Sequence, residues 1–91
     1  MQSFRSATTQ VASGFESVAI GLRNTASSDS IAIGDSNTAS NADTLAFGLN
    51  NTASGICASA FGNSNSASSL FASAFGSGNT ASANYTSVFG Y

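Results

Sequence analysis

Ser17-Val18-Ala19-Ile20-Gly21, followed after two residues by Asn24-Thr25-Ala26-Ser27, is repeated at once as Ser30-Ile31-Ala32-Ile33-Gly34 and Asn37-Thr38-Ala39-Ser40. The underlying pattern is S-φ-A-φ-G-x-x-N-T-A-S-x-x-x, with φ standing for Val, Ile, Leu or Phe, and it extends over nearly the whole chain. Gly21, Gly34, Gly48, Gly62, Gly76 and Gly90 lie 13, 14, 14, 14 and 14 residues apart, and Asn24, Asn37, Asn51, Asn65 and Asn79 follow the first five by three residues. Self-similarity at a fixed short period is the signature of a solenoid. The repeats divide a single β-roll domain, residues 1–91, into coils 3–16, 17–29, 30–43, 44–57, 58–71 and 72–85 and a half-coil 86–91. In the first coil Gln10-Val11-Ala12-Ser13 fills the N-T-A-S slot.

Fourteen residues accommodate two short strands and two turns. The first strand is read as S-φ-A-φ-G and the second as T-A-S. Alternation along a strand sends successive side chains to opposite faces. Ala19, Ala32, Ala46, Ala60 and Ala74 therefore share one face of the first strand, and Ala26, Ala39, Ala53, Ala67 and Ala81 share one face of the second. Turns of three or four residues are too short to span the roughly 10 Å between sheets packed through bulky side chains, so alanine faces alanine in the roll interior. Asn24, Asn37, Asn51, Asn65 and Asn79 point inward beside them and form a ladder of amides about 4.8 Å apart.

This packing leaves Val18, Ile20, Ile31, Ile33, Leu45, Phe47, Phe61, Phe75 and Phe89 as an apolar stripe outside the first sheet. Such a stripe exceeds what a soluble monomer tolerates. It is expected to be an oligomer interface, each buried side chain contributing roughly 1.5–3 kcal/mol. The competing arrangement is a monomeric roll with these residues inside and the first-strand alanines outside.

Composition narrows the function. Of 91 residues, 7% are charged; there is no Pro, Trp or His, and the cations are Arg5 and Arg23, giving a net charge of −2. Polar low-complexity chains are usually disordered, but they lack a strict apolar register. No basic stripe is present to neutralise phosphates, so nucleic acid is not an expected partner. Every apolar run is interrupted well short of the roughly 18 residues of a membrane span. The start, Met1-Gln2-Ser3-Phe4-Arg5, has no secretory-type apolar run, which suggests a removed export signal, a fragment or a phage-type product. The single cysteine, Cys57, excludes an internal disulfide; it is either a small turn residue or a thiol placed near its symmetry mates.

No catalytic, cofactor or metal site is expected. The serines have no histidine or lysine to activate them, and Gly-x-x-Asn lacks the lysine and helix of a phosphate loop. Glu16, Asp29 and Asp43 line up one coil apart, as a solvated edge or as ligands bridged by calcium, although a calcium site wants six or more oxygens. Thr25, Thr38, Thr52, Ser66 and Thr80, beside Ser27, Ser40, Ser54, Ser68 and Ser82, form hydroxyl columns on the outer sheet. They read as a wettable surface with good strand propensity, or less well as an ice-binding face.

The two repeats quoted first resemble the head repeats of trimeric autotransporter adhesins, the YadA-like head, and the likeness covers about residues 10 to 90. It implies an all-β, left-handed parallel β-roll, three copies of which pack as a homotrimer with first-strand faces inward. It further implies a non-catalytic module that adheres to host matrix or surfaces, through a matrix protein or glycan, on an extracellular fibre of a bacterial cell; phage tail fibres carry similar repeats. The family's anchor barrel, stalk and neck are not in this sequence. A second reading makes the chain a structural filament subunit: it stops in mid-coil at Tyr91, and uncapped coils would stack head to tail.

Two features change midway. From Thr44 onward no residue is charged, and the outer strand residues pass from aliphatic pairs to Ser59 with Phe61, Ser73 with Phe75 and Ser87 with Phe89. The inter-coil turn passes in parallel from Glu16, Asp29 and Asp43 to Cys57, Phe71 and Tyr85.

Overall fold

The computed structural model describes residues 11–91, so residues 3–10 of the first coil lie outside the described residues. Among the described residues, twelve strands form two parallel sheets. The long strands β2 (Val18–Leu22), β4 (Ile31–Asp35), β6 (Leu45–Leu49), β8 (Ser59–Asn63), β10 (Ser73–Ser77) and β12 (Ser87–Gly90) make one sheet in the order β12-β10-β8-β6-β4-β2. The two-residue strands β1 (Val11–Ala12), β3 (Thr25–Ala26), β5 (Thr38–Ala39), β7 (Thr52–Ala53), β9 (Ser66–Ala67) and β11 (Thr80–Ala81) make the other, in chain order. The chain alternates between the sheets, one long and one short strand per coil. It is an all-β parallel solenoid, with no helix among the described residues.

Register follows the repeat. Ala19 pairs with Ala32, Ala32 with Ala46, Ala46 with Ala60 and Ala60 with Ala74, and the glycine column runs beside them from Gly21 to Gly90. The ten alanines of the two columns have no exposed surface. Small side chains let the sheets close tightly, and the Cα envelope is only 13 Å across its thinnest dimension, against 31 and 23 Å. In the last strand Val88 takes the alanine position and packs partly buried against the core.

Strand limits differ from the sequence reading at both ends. Each long strand starts at the first φ position rather than the preceding Ser-type slot, and all but β12, which ends at Gly90, run one residue past glycine. The reason is a residue at positive φ directly before that slot: Glu16 (57°), Asp43 (58°), Cys57 (60°), Phe71 (55°) and Tyr85 (60°). Extended structure can begin only after this corner. The slot residues Ser17, Ser30, Thr44, Ala58 and Ala72 are consequently buried at the corner, a further inward column. Their hydroxyls, where present, donate to turn carbonyls: Ser17 to Gly14 at 2.9 Å and Thr44 to Asn41 at 2.8 Å. In the alanine coils the backbone bond serves alone, Ala58 N–H donating to Gly55 and Ala72 N–H to Ser69, both at 3.1 Å.

The short coil, 17–29, loses its residue in this same turn. Ser28, not Asp29, adopts the positive φ, 57°. Asp43 N–H then bonds the Asp29 carbonyl at 3.1 Å, where Cys57 N–H bonds Ala42 one coil later at 3.0 Å. Asp29 is therefore equivalent to Ala42, and Glu16, Asp29 and Asp43 do not form one column. No grouping of three or more metal-ligating residues occurs among the described residues.

Candidate assembly and binding surfaces

The corner after each long strand fixes where everything outside it lies. Gly48 and Gly62 both have φ of 121°, and a Cβ on either would overlap the carbonyl of the glycine one coil on, Gly62 or Gly76 respectively. Only glycine meets both conditions. As the chain turns away, that carbonyl leaves the sheet ladder and needs another donor. The asparagine three residues later supplies it. Asn37 Nδ2 donates to Ile33 C=O at 2.9 Å within its coil and to Gly48 C=O at 2.8 Å in the next. Asn24, Asn51, Asn65 and Asn79 repeat this pair of bonds. Each Oδ1 of the next-coil pairs accepts from the following asparagine's backbone N–H, as Asn37 Oδ1 does from Asn51 at 3.1 Å. Side-chain amides also meet, at 3.0 Å from Asn51 Nδ2 to Asn37 Oδ1. The ladder is thus mainly a bond between side chain and backbone, and among the described residues no buried side-chain polar atom lacks a partner.

The interior being filled, the bulky residues lie on the outer face of the long-strand sheet. Val18, Ile20, Ile31, Ile33, Leu45, Phe47, Phe61 and Phe75 are half-buried by their neighbours along the stack, and Phe89 is exposed. In-register pairing puts identical side chains one strand spacing apart. Phe47, Phe61, Phe75 and Phe89 form a continuous stack with centroids 4.7, 4.8 and 4.9 Å apart and planes within 8°. Stacking of this kind contributes about 0.5–1.5 kcal/mol per pair beyond area burial. It does not cover the outward side of the rings.

Other surfaces are less developed. Thr25, Thr38, Thr52 and Ser66 are half-buried and Thr80 is exposed on the sheet of short strands. Arg23 pairs with Asp35 at 2.9 Å and donates to the Ser36 hydroxyl at 3.2 Å, an exposed bond between adjacent coils; such pairs contribute little stability. No pocket opens among the described residues. At the inter-coil turn Phe71 and Tyr85 stack at 5.3 Å on strained backbone, a feature that the sequence signals only through their shared position in the repeat.

The YadA head domain repeat model matches the sequence twice, over residues 12–30 and 28–51. Residues 12–51 thus resemble two YadA head domain repeats. This solenoid matches a YadA-like head in architecture, and residues 52–91 continue it in unbroken register through β8, β10 and β12. YadA head repeats belong to a structural adhesin domain family rather than an enzyme family, and mark an adhesin-like module. YadA-like proteins form trimers, and their heads are exposed at the cell surface. No curated protein and no solved structure matched the chain.

Proposed function

We propose that this chain is a segment of the head or shaft of a trimeric surface fibre, with three left-handed rolls packed around a threefold axis through their long-strand faces. The observation that carries this reading is the outer apolar stripe from Val18 to Phe89 on a roll whose interior is already filled by alanine. Those side chains have no place inside their own subunit, and water contact over so long a stripe is unfavourable. Association of copies removes it from water and leaves the Thr/Ser sheet outside. The role that follows is adhesive and non-catalytic, at a bacterial surface, toward an extracellular matrix protein or a glycan.

The function is tested by titrating the purified protein over immobilised matrix proteins and glycans, with an inert protein as reference. Saturable binding to at least one surface is expected. A response equal to the reference on every surface contradicts the adhesive role.

A further inference from the structure

The outer face and the turn beside it change together along the chain. The first outer strand position holds Val18, Ile31 and Leu45 and then Ser59, Ser73 and Ser87. Two residues earlier, in the turn, Glu16 and Asp43 give way to Cys57, Phe71 and Tyr85. The coil of Ser59 has only Cys57 at this turn position; the next two, with Ser73 and Ser87 on the strand, have Phe71 and Tyr85 there. Phe71 pairs in this way with Phe75, and Tyr85 with Phe89, so each of these coils again carries two large outer groups.

The two turn aromatics are costly to place. Both occupy left-handed backbone, φ 55° and 60°, which is unfavourable for bulky L-residues and natural for Asn or Gly. Both remain accessible, Phe71 at 47% and Tyr85 at 73%, while stacked on each other with planes 13° apart. Glu16 and Asp43 adopt the same backbone in their coils, so the fold itself does not call for an aromatic ring. Strained backbone that holds bulky side chains largely exposed points to a functional position.

We infer that Phe71 and Tyr85 belong to the surface that meets a second copy of this chain, taking over from the turn the apolar contact that Val18, Ile31 and Leu45 make from the strand. The occupant is another copy because aromatic bulk enters this turn position only in coils whose first outer strand position is a serine, Ser73 or Ser87. A foreign ligand held at the turn would require no loss on the strand. The buried Ala72 separates Phe71 from Ser73 at the start of β10, which sets the ring at the margin of the long-strand face. This inference rests on the assembly reading above and refines which edge of the face is covered.

Sedimentation equilibrium of three proteins tests it, with circular dichroism to verify the fold. Phe71→Asn with Tyr85→Asn relieves the backbone and retains the roll. It is expected to raise the concentration of half-dissociation about tenfold or more, the scale of one lost apolar burial. Adding Ser73→Leu and Ser87→Leu to that variant moves the bulk back to the strand and is expected to recover most of the loss. An unchanged assembly in the double variant overturns the inference while leaving the assembly reading intact, as does a folded four-site variant without recovery. Unchanged mass with lost binding to a glycan or matrix protein assigns the turn to a foreign partner and also overturns it. A monomeric starting protein removes the assembly reading itself.

Discussion

Asn51 holds three backbone groups at once. Its Nδ2 donates to Phe47 C=O at 2.7 Å and Gly62 C=O at 2.8 Å, and its Oδ1 accepts from Asn65 N–H at 3.0 Å. Asn51→Asp keeps the shape but sets a buried oxygen against two carbonyls, and the expected loss is about 3 kcal/mol or more. Urea unfolding measures it, and an unchanged midpoint would contradict the hydrogen-bond assignment. The glycines offer a paired comparison. Gly62→Ala puts a methyl group against the Gly76 carbonyl, whereas Gly78, with φ of 71°, has no atom within 4 Å of an added Cβ. Gly78→Asn is expected to shift stability by about a few tenths of a kcal/mol, since Asn50 holds the equivalent turn at 58°, and Gly62→Ala to cost about 2 kcal/mol or more. Similar melting temperatures for the two would contradict this. Sequence periodicity located the asparagines and glycines, but not the amides' main partners. Which carbonyls lose their sheet partners depends on where the chain turns, and alternation does not carry that information.

At the scale of the element, alternation separates the inward alanines from the outward bulk, because faces follow from a period of two. Ser17, Ser30 and Thr44 look like surface hydroxyls by residue type, yet are fully buried; the clues were their place two residues before the inward alanines and their replacement by Ala58 and Ala72 in later coils. Thr44→Ala should therefore cost no more than about 1 kcal/mol, because those coils close the same corner through the backbone. A loss several times larger in thermal unfolding would show that the hydroxyl is needed. Asp29 was placed in column with Asp43 by counting, which fails in the one coil of 13 residues. The outer face has its own test. Phe61→Asp inserts a charge into the aromatic stack and is expected to dissociate the assembly, whereas Ser68→Asp, after the short strand β9, leaves it intact. Equal loss of mass from both would contradict the assignment of faces.

For the whole molecule, the six-glycine period was enough to specify a parallel solenoid, since each coil buries its alanines only by stacking on the next. The proposed quaternary arrangement rests on bulk that has no room inside a roll so thin. That surplus is the central claim: the hydrophobic core of this protein lies between copies. Multi-angle light scattering across a hundredfold range of concentration tests it most directly. The account predicts a mass of three chains that holds until high dilution; a single-chain mass throughout would contradict it.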